Sequence, residues 1–246
     1  MTVQPPSSAS KGKLYLIPNT LGTNDTETIP EYVRQIALQL SVFIVENIKE
    51  ARRYLVKLGM KQSGRTIEEL IFLELDKHAS EATFSDYLKA AENGTDIGLI
   101  SDAGCPAVAD PGSIIVEWAH QKGIAVVPLV GPSSLLLALM SSGMNGQQFA
   151  FTGYLPIQHA ARIQRLKFLE QRIVSENQTQ IFIETPYRNQ SLFTDILNTC
   201  KPQLRLSIAA NLTLPNQYIQ TLSIQLWKKT PPPDLHKIPT VFVLGN

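Results

Sequence analysis

Asp102 and Gly104 stand in the string Ser101-Asp102-Ala103-Gly104-Cys105-Pro106, directly after the apolar run Ile97–Ile100. A carboxylate at the end of a buried strand either accepts hydrogen bonds from loop amides or helps to hold a polar ligand. Ala103 and Gly104 would let such a ligand approach the backbone closely. Asp110, ahead of Pro111, is better suited to a turn or a helix cap. Ser133 and Ser134 follow Gly131-Pro132 where a helical pattern begins, and there a capping hydroxyl and a ligand at the helix N-terminus are compatible. Other chemistries lack their residues. No Gly-x-x-x-x-Gly-Lys-Ser/Thr occurs and no Gly-x-Gly-x-x-Gly follows a strand, which disfavours nucleotide hydrolysis and ordinary nicotinamide chemistry. No Gly-x-Ser-x-Gly elbow is present, which disfavours a serine hydrolase. His78, His120, His159 and His236 are scattered without ligand spacing, so no metal site is expected.

The elements that must position these residues alternate. The apolar run Ile97–Ile100, a loop, a helical pattern through Ile114, Ile115, Trp118 and Ala119, a second run Ala125–Leu129, another loop and another helix form a strand–helix series. That series predicts an α/β layer with parallel pairing, in which ligands lie beyond the carboxyl ends of the strands. Further strands are expected at Lys13–Ile17, 41–45, 71–75, 149–153, 180–184, 204–210 and 240–244. Helices are expected at 31–39, 49–58, 80–91, 160–174 and 191–198. Residues 219–226 read as a strand or a short helix. The segment 135–140 is apolar all round and is expected to be buried. The second half repeats the first in kind. A boundary near Leu129–Pro132 gives a tail over 1–12 and domains over 13–130 and 131–246.

The chain has 246 residues, 43% of them apolar, and a net charge of +1. Residues 1–128 hold 12 Lys/Arg against 16 Asp/Glu, and residues 129–246 hold 10 against 5. The excess in the second half is either chance or a surface for an anionic partner. Cys105 and Cys200 make neither a disulfide framework nor a metal set, so reduced thiols and a cytoplasmic location are expected. No apolar run reaches the roughly 18 residues of a membrane span, and the first ten residues lack a secretory core.

Ser101–Gly112 (SDAGCPAVADPG), Ile124–Ser134 (IAVVPLVGPSS) and Phe151–Pro156 (FTGYLP) together resemble the tetrapyrrole-methylase superfamily, nearest its small-subunit ribosomal RNA methyltransferase I branch. The resemblance extends from Lys13 to Gly245. It implies two α/β/α domains with S-adenosylmethionine in the cleft between them, a homodimer, and methylation of a ribose 2′-oxygen in small-subunit ribosomal RNA. Carried over by position, the cofactor would be held by Pro18, by Asp102, Ala103, Gly104 and Cys105, and by Pro132, Ser133 and Ser134. Tyr154, Leu155 and Pro156 would add the second domain's share, with Asn211, Leu212, Pro239 and Thr240 as further walls.

The polar motifs depart from the family. Its AEDTR is Val45-Glu46-Asn47-Ile48-Lys49 here, its HEHN is Asp76-Lys77-His78-Ala79, its YESPHR is Ile183-Glu184-Thr185-Pro186-Tyr187-Arg188, and its RELTK is Ala210-Asn211-Leu212-Thr213-Leu214. The cofactor loops are kept while the substrate face is rewritten. A ribose hydroxyl needs help in losing its proton, and Glu46, His78 and Glu184 are the candidate bases. Arg52, Arg53, Arg162, Arg165 and Arg188 are the candidate phosphate contacts. Two other readings stay open: the same chemistry on another acceptor, such as a tetrapyrrole or a protein, and a cofactor-binding protein without catalysis.

Overall fold

The computed structural model describes residues 10–22, 26–75 and 86–246. The chain divides into two compact units, up to Pro132 and from Ser133. In the first, β1 (Lys13–Ile17), β2 (Val42–Val45), β3 (Ile71–Glu74), β4 (Ile97–Ile100) and β5 (Ala125–Pro128) form one sheet in the order β3-β2-β4-β1-β5. Every pairing in it is parallel. Parallel strands need crossovers. Here they contain α1 (Glu31–Gln39), α2 (Ile48–Lys57), two 3-10 turns at Lys61–Ser63 and Ile67–Glu69, α3 (Lys89–Glu92) and α4 (Ser113–Gln121).

Both faces of this sheet are covered, which explains why its central strands read as unbroken apolar runs. Alternate residues of β2 serve different cores: Phe43 and Val45 join Ile17, Val33, Tyr54 and Leu55 on one side, while Val42 and Ile44 join Leu14, Leu99, Ile115 and Ala119 on the other. Each fully buried Leu, Ile or Phe contributes about 1.5–3 kcal/mol. Glu74 interrupts an apolar run in the sequence, yet it fits β3 because β3 is an edge strand and Glu74 is exposed. Gly98 is required by packing, since a Cβ there would lie 2.7 Å from Ile17 Cδ1.

Within the segment expected to be a tail, Gly12 donates to Ala91 O at 2.8 Å and Lys11 Nζ to Lys122 O at 2.5 Å. The expected helix 80–91 begins outside the described residues, and α3 lies at its end.

The second unit carries α5 (Ser134–Ser142), β6 (Phe149–Tyr154), α6 (His159–Glu176), β7 (Thr179–Ile183), α7 (Asn189–Thr199), β8 (Arg205–Ala210), β9 (Tyr218–Ser223), α8 (Ile224–Trp227) and β10 (Thr240–Gly245). Residues 219–226 therefore hold both a strand and a short helix. The sheet order is β6-β7-β10-β8-β9. Only β6 and β7 pair in parallel; β10 runs antiparallel to β7 and β8, and β8 to β9. The second half thus does not repeat the parallel arrangement of the first. Only seven residues separate β8 from β9, enough for a hairpin and too few for a crossover. Its core stacks Phe182 on Phe242 at 6.0 Å and sets Phe193 edge-on to Trp227 at 5.5 Å, with Trp227 Nε1 donating to Leu206 O.

The all-round apolar helix α5 is not wholly buried. Ala138 and Leu139 pack inward, while Leu136 is 50% and Met140 78% exposed. A helix lying on one sheet buries one stripe, whatever its other faces carry. Among the described residues no helix is long and apolar enough to cross a membrane.

Candidate functional site

A parallel sheet brings the carboxyl ends of its strands to one edge. In the first unit that edge gathers Pro18-Asn19 after β1, Glu46 after β2, Ser101–Cys105 after β4 and Val130–Pro132 after β5. Asn19 fastens them. Its amide donates to Gly104 O at 2.8 Å and its carbonyl accepts from Gly104 N at 3.2 Å. Its side-chain Nδ2 donates to Ser101 O at 3.0 Å and Asp102 O at 3.1 Å, and Oδ1 accepts from Thr20 N at 2.8 Å. Asn19 is 7% exposed, so all of these bonds are sheltered from water.

Gly104 needs its lack of a side chain, with φ at +70° and Leu21 3.2 Å from where a Cβ would be. Gly131 is packed onto Pro18, whose Cβ lies 2.2 Å from the position a Cβ would take. Tyr54 closes the base from α2, its hydroxyl donating to Pro18 O at 2.5 Å, and burial pushes its phenol pKa well up. Cys105 Sγ lies 3.5 Å from Pro132 O, and burial raises the thiol pKa, so it fills a small space as a neutral group. Asp110 accepts from Ala107 N at 2.9 Å and Gly112 N at 2.7 Å, which makes it the turn cap expected. Its pKa is raised, first by burial and also by the charge of Asp102, against the opposing effect of those two bonds.

What remains exposed on this clasped loop is Asp102 and Ala103. A cleft of about 820 Å³ opens beside it, lined by Asn19, Thr20 and Asp102, by the basic side chains Arg52, Arg53, Lys57 and Lys61, and by the acidic Glu50 and Glu68. Arg53 and Lys57 lie four residues apart on one face of α2, and Lys61 follows in the 3-10 turn beyond Gly59, where the chain has left the helix. Arg52 lies over the Phe72 ring at 5.2 Å and Arg53 pairs with Glu50 at 2.8 Å. Lys57 and Lys61 have no ion-pair partner among the described residues.

In the second unit, Asn211 N donates to Pro239 O at 3.0 Å, and Thr240 lies opposite Ala210 in the β8–β10 ladder. The expected walls Asn211–Leu212 and Pro239–Thr240 are therefore neighbours. Asn211 and Thr213 take positive φ, and Thr213 Oγ1 is buried without a hydrogen-bond partner among the described residues. Tyr154 and Pro156 are exposed after a register shift in β6, while Leu155 belongs to the core. Ser133 precedes α5 without a side-chain capping bond, and both Ser133 and Ser134 stay half-buried.

No family model matches the chain. It is 30% identical over 209 residues to a ribosomal RNA small subunit methyltransferase I of Buchnera aphidicola, an alignment covering 85% of this chain and 68% of that one. The chain belongs to the ribosomal RNA small subunit methyltransferase I family. Its fold is similar to that of the methyltransferase CobJ, with a TM-score of 0.62, 16% identity, and 96% and 94% of the two chains covered. It is also similar to a uroporphyrin-III C-methyltransferase from Thermus thermophilus complexed with S-adenyl homocysteine, with a TM-score of 0.57, 15% identity, and 96% and 98% covered. The family resemblance read from the sequence and the tetrapyrrole-methylase type of fold are both borne out.

For a member of this methyltransferase family, several expected residues have other tasks. Arg162 is no phosphate contact: it is 5% exposed, its Nε bonds Asp195 at 2.6 Å, Nη2 reaches Asp195 and Ser191, and Nη1 donates to Ile157 O at 3.0 Å. Its donors fix α6 to α7 and hold the chain after Pro156. Arg165 lies over Phe168 at 5.0 Å. Glu184 is not a free base, because Oε1 accepts from Thr185 N and Arg188 Nη2, each at 2.6 Å, and Oε2 is buried. That pairing also takes Arg188 partly out of play and raises its pKa. Glu46 Oε1 accepts from Asp102 N at 3.2 Å. His78 lies outside the described residues.

Asn19, Tyr54, Lys57 and Lys61 were missed in the sequence. The helical spacing of Arg53 and Lys57 was the available signal for Lys57; Lys61 lies beyond the stop at Gly59 and had none. For Asn19 none was available, because the loop it fastens lies 82 residues or more away in the chain.

Proposed function

We infer that this chain is an S-adenosylmethionine-dependent methyltransferase that acts on a ribose 2′-oxygen of small-subunit ribosomal RNA. The observation that carries the reading is the cleft in which the clasped loop, through Asn19 and Asp102, and the cationic face of α2 line one space. A polyanion lying along Arg52, Arg53, Lys57 and Lys61 is thereby brought to the loop that the family resemblance assigns to the cofactor.

The residues fit that cofactor. In the first unit the exposed Asp102 carboxylate and the exposed Ala103, on a loop held in place by Asn19, suit a polar, zwitterionic ligand. Pro18, Ala103, Cys105, Pro132, Ser134, Tyr154, Leu155, Pro156, Leu212, Pro239 and Thr240 complete the proposed set. When bound, S-adenosylmethionine supplies an electrophilic methyl group on a sulfonium. The protein's share is to hold the acceptor close and aligned, which can account for most of the acceleration.

Of the candidate bases, Glu46 is the one the geometry favours. It stands at the same sheet edge, one oxygen fixed by Asp102 N, while Oε2 makes no hydrogen bond among the described residues. Glu46 would take the hydroxyl proton. A homodimer and a cytoplasmic location complete the reading, supported by the exposed Leu136 and Met140 and by the free Cys105 and Cys200.

The test is incubation of purified small ribosomal subunits with methyl-tritiated S-adenosylmethionine. Label should appear in RNA and, after alkaline hydrolysis, in dinucleotides, because a methylated 2′-oxygen cannot attack its phosphate. Label in mononucleotides would exclude the ribose, and label in protein would exclude RNA.

A further inference from the structure

One edge of the second unit presents an aromatic ring on a prepared support. β7 leads into Thr185-Pro186-Tyr187-Arg188, a turn closed by Arg188 N donating to Thr185 O at 2.9 Å. Tyr187 is 70% exposed on it. The segment before β10 comes alongside: His236 meets the Tyr187 ring edge-on, 6.1 Å between centroids at 75°, and Lys237 Nζ is 5.8 Å from the ring centroid. Lys237 takes a positive φ of 59°, and its amide donates to Pro186 O at 3.0 Å. Asn189 adds a second tie, Nδ2 to Ile238 O at 2.7 Å. Two loops are thus stitched together under a ring that they do not bury.

The surroundings select a partner. Lys237 lies over one face of the ring and His236 stands at its edge, whereas a protein-docking aromatic usually sits in an apolar centre with charge kept to the rim. A largely exposed ring with a lysine over one face is an arrangement that stacks an unpaired base on the other and meets the adjoining phosphate. Arg188 is held in register by the buried Glu184 carboxylate, so the platform is largely rigid before anything binds.

We propose that Tyr187, supported by His236 and Lys237, is a stacking platform for an unpaired base of the RNA substrate. The proposal rests on the RNA reading above and adds that the RNA is engaged single-stranded at this turn. A lone exposed ring has no access to the faces of paired bases, so duplex RNA should not use it.

The experiment measures binding of the full chain to a labelled single-stranded oligoadenylate, and to its duplex with oligouridylate, by fluorescence anisotropy. Tyr187→Ala should weaken single-strand binding about 5- to 150-fold, the effect of losing one stacked base. Tyr187→Phe should restore it, and duplex binding should not change. Lys237→Gln should lower the salt slope of single-strand binding by about 0.7. Equal binding by Tyr187→Ala and wild type, or an equal loss on duplex, overturns the platform. Loss of binding to small subunits with no oligoadenylate binding by the wild type assigns the ring to a protein surface and also overturns it. The methylation assay judges the RNA reading separately, since alkali-resistant label can appear whether or not Tyr187 stacks.

Discussion

Replacing Asn19 by alanine removes three hydrogen bonds at once: Nδ2 to Ser101 O, Nδ2 to Asp102 O, and Thr20 N to Oδ1. The backbone exchange with Gly104 survives. Ser101 and Thr20 are buried, so their freed groups find water poorly. At about 1 kcal/mol for each bond, the clasped arrangement loses about 3 kcal/mol. If that loss falls on global stability, melting should drop by on the order of 10 °C. If it falls on the loop, the binding-competent fraction shrinks, and affinity for S-adenosylhomocysteine should weaken by up to about 100-fold. Calorimetric titration and a thermal melt on the same samples separate the two outcomes. Asn19→Asp sharpens the test. It keeps the acceptor for Thr20 N but turns a carboxylate oxygen toward two carbonyls, and only the protonated acid can donate to them. Its folded pKa is therefore raised, and the variant should lose stability as pH rises through that pKa. An alanine variant that melts as the wild type does and binds within about twofold of it would refute the clasp as the organiser of the loop.

Arg162→Ala should destabilise the second unit by about 3–5 kcal/mol, because Asp195 would be left buried with only the exposed His159 ring beside it; chemical denaturation measures this, and a neutral result would refute the pair as a tie between α6 and α7. The double variant Lys57→Gln, Lys61→Gln should reduce the salt slope of RNA binding by about 1.8 on structured RNA while leaving S-adenosylhomocysteine affinity unchanged; filter binding across salt concentrations checks it. Burial pushes the Cys200 thiol up to about 12 from 9.0. The folded state then keeps a proton that the unfolded state releases, so this contribution is intact below pH 9 and is lost as pH climbs from about 9 to about 12. Wild type should lose about 1.4 kcal/mol by pH 10 relative to its neutral value, a loss absent from Cys200→Ala in parallel urea titrations.

The parallel sheet of the first unit was legible because its inner strands are buried on both faces. Ile97–Ile100 announces itself as a short apolar run between turn residues, and the structure ends β4 where that run ends. Strand direction in the second unit was not legible, since apolar content says nothing about which way a strand runs and only the connections decide it. The outer face of α5 failed for a related reason: hydropathy records what a helix could bury, and the sheet beneath it takes one stripe. In the site, loop residues marked by Gly, Pro and Asp were found because their backbone requirements show in residue type. Arg162 looked like surface charge because Asp195, the residue that explains it, lies 33 positions away. The net charge of the halves also misdirects, since Arg52, Arg53, Lys57 and Lys61 line a cleft in the half with acidic excess.

The position of β1 has a consequence for synthesis. β1 is the first strand to be made, yet it sits between β4 and β5, pairing Leu14 with Ile97 and with Val126. At about 5–20 residues per second, roughly 6 to 23 s pass between translation of β1 and translation of its last partner. Until β4 is made, Leu14 and Ile17, both fully buried at the end, have no strand to pair with. The ligand loop closes late for the same reason, because Asn19 waits for Gly104, 85 residues further along the chain.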